Sequence, residues 1–299
     1  MAEATLSEHR SSLSSAQLAA RYGLHVAAER PSIPAYLRSL WAFRHFMTSY
    51  SSAKMAAQYA NAGLGQLWQV LTPLANATVY FLMFGLVLNT RRGTDNFIAY
   101  LCIGIFIYTF TATVVQNGVK SITDNLSLIR ALHFPRATLP LTVTLTQMQQ
   151  MVASSIVLFF ILVVSGETPK LTWLLYVPSL LLQSVFNAGL AMLMARLGSK
   201  ITDLKQLIPF LMRTWLYGSA IFYNINIFTE HLSPTLARIF LMNPLLVFAS
   251  LPREILMKHP PEHPMSEPEQ WLVALAWAIV MLVVGFVYFW RGEKEYGRG

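Results

Sequence analysis

Six apolar blocks divide the chain, at roughly residues 67–88, 97–115, 139–164, 172–197, 207–228 and 272–290. Each is nearly free of charge over about 20 residues, the length a helix needs to cross a hydrocarbon core about 30 Å thick. None alternates with the period of two expected of a barrel strand. Backbone polar groups cannot be left unpaired in lipid, so the pattern predicts six membrane-spanning helices. Two further segments are neither spans nor ordinary loops. Tyr36, Leu40, Phe43, Met47 and Tyr50 recur at steps of four and three, with Arg38, His45 and Ser49 elsewhere on the wheel. That stripe predicts an amphipathic helix across residues 35–60, lying on the inner membrane surface. Between residues 229 and 270, apolar pieces too short to span are interrupted by Asn243-Pro244 and Pro252. They predict re-entrant or interfacial helices on the outer face.

Composition agrees with this pattern. The 299 residues are 55% hydrophobic and 12% charged, with a mean hydropathy of +0.47, whereas roughly a quarter of a soluble domain is charged. Residues 35–299 therefore read as one all-α integral membrane domain. Residues 1–34 are polar, rich in Ser and Ala, and lack the apolar core of a signal peptide, which predicts a flexible cytoplasmic tail. With both termini inside, the outer segments hold Arg91, Arg92, Lys170, Arg238, Arg253 and Lys258. Arg213 falls within the fifth block, and the remaining 15 of the 22 Lys and Arg lie on the inner side. This asymmetry orients both termini to the cytoplasm, and the net charge of +8 answers to the membrane rather than to nucleic acid. Cys102 is the single cysteine, so no intrachain disulfide forms.

Candidate chemistry is sparse. His259, Glu262 and His263 spell H-x-x-E-H, but a zinc site of that type needs both imidazoles on one helix face, and Pro260, Pro261 and Pro264 oppose helix there. No metal is expected. The chain has no Gly-Lys pair, hence no phosphate-cradling loop of the G-x-x-x-x-G-K-[ST] type. The apolar blocks hold no acidic residue, which weakens a carrier driven by protons or sodium. If transport is active, another polypeptide supplies the ATP. A membrane-embedded glycosyltransferase is a further alternative, although Asp124 and Asp203 stand alone in the inner loops.

Aromatic rings crowd three blocks: Tyr80, Phe84, Tyr100, Phe106, Tyr108 and Phe110 in the first two, Trp215, Tyr217, Phe222 and Tyr223 in the fifth. They either pack the core or line a route for a solute such as a sugar, whose C–H faces suit aromatic surfaces. Arg213 either snorkels to the inner interface or anchors a lipid diphosphate, for which its guanidinium is well shaped. Residues 125–140, NLSLIRALHFPRATLP, interrupt the hydrocarbon between the second and third blocks. Leu128, Ile129, Leu132 and Phe134 can form an apolar face flanked by Arg130, His133 and Arg136, and Pro135 limits how far a helix can run. Such a segment either rests on anionic headgroups or seats in a partner protein.

Several stretches resemble the polysaccharide-exporting branch of the ABC-2 type transporter permeases, which includes teichoic-acid, O-antigen and mycobacterial galactan exporters. They are Gly63-Leu64-Gly65 leading to Leu67-Trp68 and Leu71-Thr72-Pro73, then Phe84-Gly85, Leu128-Ile129-Arg130, Phe134-Pro135-Arg136 and Leu139-Pro140. Further on come Tyr217 through Tyr223, Asn243-Pro244, and Phe289 through Glu293. The resemblance covers about residues 36–296. It implies a homodimer, each copy docking an ATPase subunit that carries ATP and Mg, so this chain itself needs no cofactor. It implies a polyprenyl-diphosphate-linked polysaccharide as substrate, the bacterial inner membrane as location, and residues 128–136 as the ATPase-coupling segment. The aromatics of the first, second and fifth blocks are then expected to line the channel. The drug-exporting ABC-2 branch shares the topology and is the closest competitor.

Overall fold

The computed structural model describes residues 32–58, 63–83, 94–226 and 232–296. Among them every regular element is helical: α1 (Ile33–Ala42), α2 (Arg44–Gln58), α3 (Trp68–Tyr80), α4 (Phe97–Gly118), α5 (Leu126–Ala131), α6 (Thr138–Val164), α7 (Tyr176–Lys200), α8 (Leu204–Tyr217), α9 (Pro234–Leu241), α10 (Pro244–Leu256) and α11 (Glu267–Arg291). Four helical stretches are long and apolar enough to cross a membrane: Phe97–Gly118, Thr138–Val164, Leu171–Lys200 and Glu267–Arg291. They coincide with the second, third, fourth and sixth apolar blocks. Helices α9 and α10 meet at a 75° bend, and counting that pair as one broken span raises the number to five. The bend falls at Asn243-Pro244, where proline cannot continue α9 and the Asn243 side chain accepts the Leu245 N–H to start α10.

Two predicted spans come out differently. In the first block, α3 ends at Tyr80 and one π-helical turn covers 81–83; residues 84–93, and with them Phe84, lie outside the described residues. In the fifth, the helix stops at Tyr217 and the chain turns through 218–223 instead of continuing to 228. Ala220 adopts a positive φ of 49°, which no helix accommodates. The described residues thus do not reach six spans. The predicted surface helix is also two helices, because Phe43 leaves helical geometry between α1 and α2. Tyr36 and Leu40 are buried as the stripe predicts, yet Ile33, Leu37 and Trp41 form a second, exposed stripe on α1.

The bundle is centred on α4, whose apolar window is 78% buried, against 33% for α6 and 22% for α11. The outward faces of α6 and α11 stay apolar, with Ile156, Phe160, Val280 and Val283 exposed, as expected of surfaces meeting lipid. Where α7 crosses α11, Gly189 and Gly285 bring the two backbones into contact. A Cβ on Gly285 would sit 2.0 Å from the Gly189 carbonyl oxygen, and one on Gly189 would lie 2.2 Å from that of Met281. Only hydrogen fits there, the small-residue packing that membrane helices use when the hydrophobic effect offers no drive to associate.

Candidate functional site

Residues 125–140 form a short projection at one end of the bundle. Helix α5 lasts only to Ala131; Leu132 is extended (φ −125°, ψ 142°), so the predicted helical face is truncated before Phe134. Pro135 disfavours helical geometry at its predecessor Phe134, so the helix does not resume before it. The projection has a rooted side and an exposed side. Ile129 is buried with Tyr36, Leu40, Ile122 and Phe289, Leu128 is half-buried against the same cluster, and the Phe134 ring lies 6.0 Å from that of Phe46 on α2. Leu132 is 50% exposed, and Arg130 and His133 face outward with it.

Arg136 does not face outward. Its guanidinium and backbone N–H both donate to Glu293 Oε1, at 3.3 and 3.1 Å, and the guanidinium also reaches the Glu293 carbonyl. The other carboxylate oxygen, Oε2, accepts the Tyr36 hydroxyl at 2.8 Å, and that hydroxyl accepts the Ala137 N–H at 3.1 Å. Glu293 is buried, and burial pushes its carboxyl above the ordinary value even though Arg136 and Tyr36 stabilise the anion. This clasp ties α1, the start of α6 and the turn after α11 to the projection. The turn itself is held by the Phe289 and Tyr296 rings, stacked at 4.7 Å, and by Arg196, buried at the end of α7, which donates to Glu295 at 2.7 Å.

The predicted aromatic lining divides in two. Phe106 and Phe110 are buried in the protomer core. Tyr100 is buried too, its hydroxyl 2.7 Å from the carbonyls of both Ala220 and Tyr223, which share its one proton. The others gather where α3, α4 and α8 meet. Phe222, itself buried, packs 4.7 Å from Tyr80 and 5.6 Å from Tyr217. Tyr108 donates to the Met212 carbonyl at 2.9 Å, and Tyr223 to that of Tyr217. Tyr217 is 49% exposed. Arg213 is exposed on the same helix, within electrostatic reach of Tyr80 and Tyr108. The structure therefore brings Tyr80, Tyr108, Tyr217 and Arg213 to one accessible face.

Arg253, Asn243 and Glu167 hold the far end. Arg253, counted above as an outer cation, is buried within α10. It donates to the carbonyls of Tyr100, Ala220 and Ile221, each at 3.2 Å, and sits 3.5 Å over the Tyr100 ring. Asn243 accepts the Trp215 indole N–H at 2.8 Å and donates to the Gly218 carbonyl at 2.8 Å. Glu167, buried, accepts from Asn96 and from the Lys258 backbone N–H. Its only sequence signal was position, an acid just after a long apolar block. The H-x-x-E-H segment runs without helix between α10 and α11, and His263 Nδ1 is occupied by the Met265 N–H at 3.1 Å. Burial lowers the pKa of that imidazole.

Comparison with known proteins places the chain. The family model for ABC-2 type transporters matches residues 49–257. A Myxococcus xanthus protein, O-antigen export system permease protein RfbA, is 24% identical over 259 residues, covering 87% of this chain and 96% of that relative. A Klebsiella pneumoniae protein of the same name is 26% identical over 180 residues, 60% of this chain and 69% of the relative.

Proposed function

The chain belongs to the ABC-2 type transporter family, and from that premise we propose that it is the permease of an ATP-driven exporter of a lipid-linked polysaccharide. The substrate is a polyprenyl-diphosphate-linked polymer of galactan, teichoic-acid or O-antigen type, moved from the cytoplasm across the bacterial inner membrane. The observation that carries this reading is the likeness, over 87% of the chain, to a relative named as an O-antigen export permease.

In this scheme two copies of the chain form the path, and each docks a separate ATPase that binds ATP and Mg. The docking element is the projection: Arg130, Leu132 and His133 enter the partner, while Ile129 and Phe134 root it in the permease. Displacement of the projection pulls directly on α4 and α6, which flank it, and through the Glu293 clasp on α1 and α11. The accessible face bearing Tyr80, Tyr108 and Tyr217 offers ring surfaces to the sugar units, with Arg213 placed to meet the diphosphate.

Co-expression with the ATPases encoded nearby tests the proposal. A four-subunit complex whose hydrolysis rises with lipid-linked sugar supports it; failure of every candidate ATPase to co-purify sinks it. Stimulation by small amphiphiles instead would identify a drug exporter, and sugar transfer from a nucleotide sugar without a partner would identify a glycosyltransferase. Within the complex, L132D should leave the permease folded and inserted while uncoupling hydrolysis from export. Y217A should slow export with assembly intact.

A further inference from the structure

A second polar feature lies away from the aromatic face. The first half of α6 carries Thr142, Thr144, Thr146, Gln147, Gln149 and Gln150, a polar band inside an otherwise apolar helix. The threonine hydroxyls turn back to their own helix, as Thr142 does to Thr138 and Thr146 to Thr142. Gln149 reaches Ser52 on α2. Gln147 does neither: it is 7% exposed, and its amide has no hydrogen-bond partner among the described residues. Its amide opens instead onto the space beside the helix, where a group from outside the chain can pair with it.

Gln147 lines a cavity of about 480 Å³ between α2, α6 and the end of α4. Lys54 and Lys120 stand on its rim with Asn117, opposed by the one carboxylate of Asp124. Two ammonium groups against one carboxylate leave a net positive rim, and amides supply further donors. Gln147 is nine residues from the start of α6, about 13 Å along the helix axis. On the orientation proposed above, that depth lies under the headgroups of the inner leaflet.

We propose that this cavity is a binding site for a phosphate-bearing lipid headgroup of the inner leaflet, held by Lys54, Lys120, Asn117 and Gln147. The inference rests on the export reading for the orientation of the chain and for one of two sources of that headgroup: the substrate's polyprenyl diphosphate or an anionic phospholipid. It places the first hold on the lipid phosphate beside α2, on helices other than the α8 that carries Arg213.

The test measures binding to the purified full-length chain in neutral detergent, using farnesyl diphosphate, a short-chain phosphatidylglycerol and inorganic diphosphate as probes. K54Q/K120Q should weaken the lipid probes at least tenfold and Q147L several-fold, whereas K170Q, beyond the opposite end of α6, should change nothing. The two lysines are exposed, so their variants are expected to fold. Preference for farnesyl diphosphate assigns the site to the substrate carrier; equal affinity for phosphatidylglycerol assigns it to bulk lipid. Both outcomes uphold the site. Unchanged affinity in K54Q/K120Q and Q147L overturns it, and so does inorganic diphosphate binding as tightly as the lipids. Because the readout is binding, a protein that exports no polymer but keeps this variant sensitivity would break the export reading and leave the site standing.

Discussion

Two buried charges sit at opposite ends of the bundle, and their surroundings could hardly differ more. At the α5 end, the Glu293 carboxylate is met by an opposite charge, Arg136, and by the Tyr36 hydroxyl. At the α10 end, the Arg253 guanidinium is met by three backbone carbonyls and the face of the Tyr100 ring. The first arrangement joins parts of the chain that must stay registered, α1, the projection and the last turn. The second repairs a break. A helix that stops inside an apolar bundle leaves carbonyls without partners, and Ala220 and Ile221 would be such groups. A guanidinium, with five donors in a planar fork, can serve several carbonyls at once. An ion pair can loosen and reform where water is near, whereas a cation seated among carbonyls must stay. The α5 end is thus suited to transmit movement and the α10 end to resist it.

Breaking the α10 end should have the larger effect. R253M would take a charged donor from each of three buried carbonyls, of which Ala220 keeps the Tyr100 hydroxyl, at about 1.5–3 kcal/mol per bond lost, a large share of a typical stability margin of about 5–15 kcal/mol. The expected result is loss of folded, detergent-extractable protein by size-exclusion chromatography. R253K should recover only part of it, because an ammonium lacks the planar fork. Recovery to the wild-type level would show that charge rather than geometry matters there.

The clasp should be softer. E293A strands the Tyr36 hydroxyl and releases Arg136, which retains some access to water, and should cost about 2–4 kcal/mol. The protein should still assemble, with reduced coupling between hydrolysis and export. Y36F, which removes one donor to the carboxylate and one acceptor for Ala137, should cost about 2 kcal/mol, read as a lower midpoint of thermal unfolding. If E293A proves as damaging as R253M, the contrast between the two ends fails.

The smallest effect concerns pH. Burial raises the Glu293 carboxyl above its unfolded value, so the folded state binds the proton more tightly. Its contribution to stability is then fully present below the ordinary carboxylate value and is lost as pH rises through the raised one. Wild type should lose thermal midpoint relative to E293Q across that rise. A parallel pH dependence in both would show that Glu293 does not titrate in this range.

Much of this molecule could be read along the chain. The helices ending at Gly118, Val164, Lys200 and Arg291 follow from uniform hydrocarbon of spanning length, and the bend at Asn243-Pro244 follows from proline. Residues 125–140 announced themselves by charge and proline within an apolar setting. The fifth block could not be read so, since its residues are as apolar as those of any span. Its break depends on Asn243, Arg253 and Tyr100 arriving from 25 to 120 residues away to satisfy the freed groups. Tyr36 and Glu293 are separated by 257 residues. The burial of Phe106 and Phe110, against the exposure of Tyr217, likewise depends on which neighbours surround α4.

What the sequence determined by itself was therefore one-dimensional: membrane residence, the positions of the uninterrupted spans, the punctuated segments between them, and a family likeness spread along the chain. Hydrophobicity summed over a window suffices for these, because the bilayer acts on every segment alike. Only the tertiary structure decided which helix breaks, which charge lies inside, which rings remain accessible and where an unpaired amide meets a cavity. Each of these is a pairing between groups distant in sequence, and a polar group's cost or worth in hydrocarbon is set by the partner it finds.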